Sequence, residues 1–289
     1  MKERVYNNVW GLGVRILHFG KRLGVSGPFE HTLLETANRL FGSPSKEVTI
    51  TLSSGMRMVI PPGFPRARTY AAGTYETETT AVFRDILRKG MTFIDAGAFC
   101  GYYTLLSSNL VGNSGRVYAF EPEPKNYTYL MRNISDNNCQ NVIIVNKAVS
   151  KENGFALLVQ DKEADHHWLT SPSNSGGSVE VQTVTLDYFF AQAGWPSVDF
   201  IKIDIEGSEF AALVGMKELN QRNPHLQLVM EYDVANLRRA GATPEALDAL
   251  LCEMGFLHGY VIEQNMKSFP ITNGLPRSHA TYDLLLKKE

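Results

Sequence analysis

From residue 47 onward, apolar positions switch between a period of two and a helical period. Residues 47–52 (Glu-Val-Thr-Ile-Thr-Leu) and 56–60 (Met-Arg-Met-Val-Ile) alternate across Ser53-Ser54-Gly55, which predicts a β-hairpin. Pro61, Pro62 and Pro65 then predict a linker. Beyond about Thr79, short apolar runs predict strands at 91–95, 116–121, 142–146, 198–204, 226–231, 256–262 and 280–287. Helices are predicted over 81–89, stopped by Gly90, and over 101–110, 125–137, 208–219 and 244–254. Such alternation predicts an α/β fold with a mostly parallel sheet covered on both faces. After Asn146 the pattern changes. Residues 155–160 and 179–184 predict an extra hairpin joined by a polar loop over 161–178, with no helix in that crossover.

Residues 1–45 read as a mildly basic helical segment with an irregular apolar stripe, Val9-Trp10-Gly11-Leu12 and Val14-Arg15-Ile16-Leu17. Trp10, Arg15, Lys21 and Arg22 beside that stripe fit peripheral contact with a membrane surface. The same stripe fits packing on the main domain or a homodimer contact. The predicted division is an N-terminal helical extension and hairpin over 1–65 and a main domain over 66–289.

Composition narrows the class. A chain of 289 residues, 44% hydrophobic and 20% charged, is globular rather than disordered. A net charge of −2 supplies no general attraction to nucleic acid, so none is expected as partner. Three dispersed cysteines, Cys100, Cys139 and Cys252, predict a reducing, cytoplasmic setting without a disulfide framework. No apolar run is long enough to span a bilayer, and the N-terminus lacks a signal-peptide pattern.

The chemistry concentrates in residues 93–104, Phe-Ile-Asp-Ala-Gly-Ala-Phe-Cys-Gly-Tyr-Tyr-Thr. An apolar run ends in Asp95, turns through Gly97 and Gly101, and enters a helix, the layout of a nucleotide-type site. Neither G-x-G-x-x-G nor G-K-[ST] is present, which argues against a dinucleotide or a phosphate loop. An acid inside the loop suits a cationic ligand, and S-adenosylmethionine carries an α-ammonium and a sulfonium. Glu121 ends the next strand, roughly twenty residues past Gly101, where a carboxylate reaches a ribose diol. Asp204 ends a further buried strand at the edge where open sheets bind ligands. Asp204 also fits a cap on the helix starting near Ser208, with Glu206 supporting the loop.

These motifs, Asp95-Ala96-Gly97-Ala98…Gly101-Tyr102-Tyr103-Thr104, Ala119-Phe120-Glu121-Pro122…Asn126 and Lys202-Ile203-Asp204-Ile205-Glu206-Gly207, make the chain similar to the FkbM-type family of S-adenosylmethionine-dependent methyltransferases. The resemblance spans roughly residues 70–262. It implies a class I methyltransferase (Rossmann-like) sheet of seven strands, the last antiparallel. It also implies methyl transfer to a hydroxyl of a sugar, polyketide, lipid or other small metabolite. Carried onto this chain, it implies cofactor contacts from Glu76, Asp95, Gly97, Ala98, Gly101, Thr104, Glu121, Pro122, Asn126 and Asp204. By position, Asn146, Lys147 and Ala148 would line the adenine side.

A neutral alcohol must lose its proton, and two routes are open. His166 and His167, beside Trp168 in the polar loop, offer a general base. Asp204 and Glu231, ending adjacent strands, offer carboxylates or an Mg²⁺ site. The expected catalytic set is thus Asp204, Glu231 and His167, with Asp204 and Glu231 as metal ligands. The Glu231-Tyr232-Asp233 string departs from the acid-amide pair of catechol-type enzymes. Asn223-Pro224-His225 lacks the aromatic that follows Asn-Pro-Pro in enzymes methylating bases, which disfavours that substrate. A non-catalytic scaffold that binds S-adenosylmethionine is the alternative.

Overall fold

The structure is a computed structural model that describes residues 43–160, 167–170, 178–277 and 280–288. The predicted N-terminal helix, with its membrane or dimer contact, lies outside the described residues, as does His166.

The described residues begin with hairpin β1 (Val48–Thr51) and β2 (Arg57–Ile60), then helices α1 (Ala67–Ala72) and α2 (Thr77–Ile86). A β/α alternation follows: β3 (Thr92–Ala96), α3 (Tyr102–Val111), β4 (Arg116–Phe120), α4 (Pro124–Asp136) and β5 (Val142–Val145). The insertion contributes β6 (Ala148–Val149), β7 (Gly154–Gln160), β8 (His167–Thr170), β9 (Ser178–Val184) and α5 (Leu186–Gln192). The second half runs β10 (Phe200–Ile203), α6 (Glu209–Val214), α7 (Lys217–Arg222), β11 (Gln227–Tyr232), α8 (Val234–Arg239) and α9 (Pro244–Glu253). It closes with β12 (His258–Val261), β13 (Lys267–Pro270) and β14 (Tyr282–Lys287).

The main sheet has the order β13-β12-β14-β11-β10-β3-β4-β5. Strands β5, β4, β3, β10 and β11 are parallel to one another, and β14 is inserted antiparallel beside β11. The seven predicted strands therefore form the class I methyltransferase sheet, and β13 adds an eighth at the edge. Strand alternation feeds two cores. Ile94, Ile201, Leu228 and Leu286 face one side with Phe190, Leu213 and Leu250 of α5, α6 and α9. Phe93, Val117, Phe200, Val229 and Leu285 face the other with Phe83, Leu105 and Leu130 of α2, α3 and α4. Both halves of the chain contribute carboxyl ends to one edge, with the strand order reversing between β3 and β10.

Several elements differ from the sequence expectations. The crossover expected to lack a helix contains α5. Thr185 caps it through Oγ1, which accepts from Tyr188 N at 3.0 Å, and Leu186 and Phe190 bury one turn apart. The loop over 161–178 contains β8, paired antiparallel with β7, and the insertion forms its own four-stranded sheet, β6-β9-β7-β8. The helix expected over 208–219 is two helices. Gly215 lies at the break, where a Cβ would be 2.1 Å from Ser150 O. Asp187 then caps α7 by accepting from Glu218 N at 3.0 Å and Leu219 N at 2.7 Å. Helix α2 starts and stops earlier than expected: Leu87 is already extended, and Gly90 sits in the turn before β3.

Hairpin β1–β2 is tied to the site by asparagine amides on α4. Asn133 accepts from Val59 N at 2.7 Å and donates to Val59 O at 2.9 Å and to Cys100 O at 2.8 Å. One buried side chain thus stands in for a strand partner and fixes the glycine loop.

Candidate active site

The glycine loop leaves β3 beneath the end of β4. Gly97 N and Ala98 N both donate to Phe120 O at 3.0 Å. Gly97 holds φ +89, and a Cβ there would lie 1.9 Å from Asp204 O. Only a residue without a side chain lets β3 and β10 approach this closely.

Glu121 staples the loop to β4. Its Oε2 accepts from Phe99 N at 2.8 Å and its Oε1 from Glu123 N at 2.9 Å. Burial pushes its carboxyl up to about 8, with the Glu123 and Asp95 carboxylates adding to the shift against those two amides. Each oxygen keeps a second lone pair, so a ribose diol can still donate to it. Asp95, 1% exposed, accepts from Thr104 Oγ1 at 2.6 Å. Burial raises its pKa to about 6, restrained by Lys202 and Thr104.

Beyond β10, Asp204 Oδ2 accepts from Lys202 Nζ at 2.6 Å; Lys202 is 3% exposed and Asp204 27%. Burial opposes the Lys202 charge, but Asp204, Glu76, Asp283 and Asp95 hold its pKa above the ordinary value. Glu206 has φ +55, and its Oε2 accepts from Asn236 Nδ2 at 3.1 Å. The acid that caps this turn is Glu209, not Asp204. Its Oε1 accepts from Ile205 N at 3.0 Å and Gly207 N at 3.1 Å. Glu231 ends β11. Burial, then the Asp204 and Glu206 carboxylates, push its pKa well above the usual range. One oxygen from each of Asp204, Glu206 and Glu231 lies within 4.8 Å of the others.

Two cavities lie along this edge and share Gly97, Phe99, Asp204 and Glu206. The first, about 570 Å³, brings together Glu121, Pro122, Asn126, Lys147, Ala148 and His167. Leu158 and Leu169 of the insertion give it an apolar wall. The second, about 620 Å³, is polar and brings together Glu76, Asp95, Ala98 and Glu231. His167 and Glu231, both expected near the reacting atoms, thus line different cavities. Gly101 and Thr104 line neither: Gly101 packs against Leu130, and Thr104 holds Asp95. Glu76 is fixed by Tyr103, whose hydroxyl donates to Oε2 at 2.7 Å.

Lys202 and Arg66 line the polar cavity but were not among the expected site residues. A lysine inside the apolar string Phe-Ile-Lys-Ile was a readable signal, because a buried ammonium needs acids around it. Arg66 follows three prolines, and nothing in its neighbourhood marked it.

The methyltransferase FkbM domain matches residues 95–257, which include the glycine loop, Glu121 and the Lys202–Gly207 motif. The chain belongs to the FkbM methyltransferase family. Its members are S-adenosylmethionine-dependent methyltransferases. Among solved structures, an FkbM methyltransferase from Methylobacillus flagellatus KT is 15% identical with a TM-score of 0.40, covering 76% of this chain and 54% of that one. An S-adenosylmethionine-dependent O-methyltransferase from Thermotoga maritima is 14% identical with a TM-score of 0.44, covering 87% and 81%. A putative rRNA methylase from Clostridium thermocellum is 11% identical with a TM-score of 0.45, covering 73% and 93%. All three are remote, and the family assignment rests on the domain match. No curated protein matches the chain significantly.

The residues present fit the family's cofactor. Gly97 lines both cavities without a side chain, and Glu121 offers a diol acceptor at the apolar cavity. The acids of the polar cavity suit an ammonium and a sulfonium. Among the described residues, no helix is long and apolar enough to cross a membrane.

Proposed function

We propose that this FkbM-family protein methylates a hydroxyl of a small, donor-rich metabolite, in a cavity formed at the carboxyl ends of β3, β10 and β11. The observation that carries this reading is the convergence of Asp204, Glu206 and Glu231 in the polar cavity. S-adenosylmethionine supplies an activated methyl on a sulfonium. The chain must align the acceptor, exclude water and receive the hydroxyl proton. Asp204 keeps one oxygen on Lys202, and its other oxygen can accept from the acceptor hydroxyl. Glu231, in its ionised form, is the group assigned to take the proton, and the burial and neighbouring carboxylates that raise its pKa make that form a stronger base. The cofactor's adenosine is assigned to the cavity of Glu121, Lys147 and Ala148, and His167 there to its wall rather than to proton transfer.

Mg²⁺ receives no step in this scheme. The Lys202 ammonium already neutralises Asp204, which weakens its pull on a hard cation. A mouth lined by carboxylates also disfavours the phosphates of nucleic acid.

The test is methyl transfer from labelled S-adenosylmethionine to a panel of sugars and polyketide-type alcohols, with D204N and E231Q alongside. The expected result is O-methyl product, with kcat lowered about 10²-fold or more in E231Q. Product on amines alone, or tight cofactor binding with no transfer to any hydroxyl, would contradict it. The latter result would favour a non-catalytic scaffold.

A further inference from the structure

The polar cavity is strongly unbalanced in charge. Its wall carries the carboxylates of Glu76, Asp95, Asp204, Glu206 and Glu231 against two cations, Lys202 and Arg66. Lys202 is buried and its ammonium is 2.6 Å from Asp204. Arg66 stands just before α1, is partly exposed, and lines the cavity with Glu76, Gly97 and Ala98.

A methionine tail entering this cavity brings an α-ammonium and an α-carboxylate. The ammonium meets acids wherever it turns. The carboxylate meets repulsion unless a cation takes it, because two like charges about 4 Å apart interact strongly near a protein surface. A guanidinium carries five N–H donors in a planar fork, so it can hold a carboxylate while keeping other partners. Burial opposes the Arg66 charge, but Tyr75, Tyr70, Glu76 and Asp204 together hold its pKa above the ordinary arginine value, so it remains a cation. Glu76 is already oriented by the Tyr103 hydroxyl at 2.7 Å.

We propose that Arg66 binds the α-carboxylate of the cofactor's methionine tail while Glu76 receives its α-ammonium, so that the segment just ahead of the β/α alternation reads the tail as a zwitterion. This rests on the assignment of the polar cavity to the methionine end. The same guanidinium could serve a carboxylate of the acceptor instead, and the test separates the two sources.

Binding of S-adenosylhomocysteine and of its decarboxylated counterpart, S-adenosyl-3-thiopropylamine, is measured by titration calorimetry on the full chain. Wild-type protein should prefer S-adenosylhomocysteine about tenfold or more, since a charge-assisted pair is lost with the carboxylate. Arg66→Met should weaken S-adenosylhomocysteine by a similar factor and leave the decarboxylated compound within threefold, with Arg66→Lys between. Equal losses for both compounds would reveal a structural role and overturn the proposal. Unchanged S-adenosylhomocysteine binding in Arg66→Met, with a raised KM for acidic acceptors, would move the residue to the acceptor and overturn it as well. The wild-type comparison needs no variant: equal affinities for the two compounds refute the proposal, whereas no affinity for either refutes the cofactor assignment beneath it.

Discussion

Replacing Gly97 by Ala tests the close approach of β3 and β10 on which the site depends. Two effects combine. Gly97 has φ +89, which disfavours an L-residue by about 1–2 kcal/mol. The new Cβ would also lie 1.9 Å from Asp204 O and 3.1 Å from Ile205 Cγ2. The nearer obstacle is backbone, so the loop must retreat by about 1.5 Å to reach ordinary contact. Overpacking of this kind costs about 1–3 kcal/mol. The total, about 2–5 kcal/mol, corresponds to a fall in Tm of roughly 3–8 °C for a chain of this size. Because Asp204 is the displaced group, methyl transfer should fall about 10²-fold. Gly55 supplies the control, with φ +85 and nothing within 4 Å of its Cβ position. Gly55→Ala should lose only the conformational part, about 1–2 kcal/mol, and bind S-adenosylhomocysteine normally. Scanning fluorimetry and calorimetry on both variants decide the matter. If Gly97→Ala melts with Gly55→Ala and binds the cofactor equally well, the steric reasoning is wrong.

Two further predictions concern buried charge. Lys202→Met leaves Asp204 without its cation and removes the positive neighbour of Asp95 and Asp283, which should destabilise the protein by about 3–5 kcal/mol at pH 8. Because acid protonates these carboxylates, the gap in Tm from wild type should narrow on lowering the pH to 5; a gap independent of pH would contradict the charge argument. Glu121→Gln should flatten the pH dependence of apo stability. The folded-state pKa of Glu121 is raised to about 8 from 4.5, so its stabilising proton is fully present below pH 4.5 and lost as the pH rises through 8. The wild-type Tm should therefore fall more steeply than that of Glu121→Gln between pH 5 and 8, and parallel curves there would refute the assignment.

Much of this was legible because strand ends are marked by chemistry as well as by hydropathy. Asp95, Glu121, Asp204 and Glu231 each follow an apolar run, and all four strands deliver them to one edge. The two glycines read alike in sequence, yet only Gly97 lies against another strand; Gly101 packs on the Leu130 side chain. Helix α5 was hidden because Leu186-Asp187-Tyr188-Phe189-Phe190 is too short to show a helical period, although Thr185 was a readable cap. The break between α6 and α7 was not legible, since neither the Ser150 contact at Gly215 nor the Asp187 cap on α7 shows in the local sequence. Likewise, His167 and Glu231 are both polar residues with reactive side chains, and only the tertiary fold shows that they line separate cavities.

The central claim is that one ligand spans both cavities, ribose on Glu121 and methionine tail beside Glu76, with the reacting methyl at Asp204 and Glu231. A crystal structure with S-adenosylhomocysteine measures this directly. The account predicts both ribose hydroxyls within hydrogen-bond distance of Glu121 and the sulfur next to the Asp204–Glu231 pair. Ribose bound elsewhere, or a sulfur directed away from those two carboxylates, would contradict it.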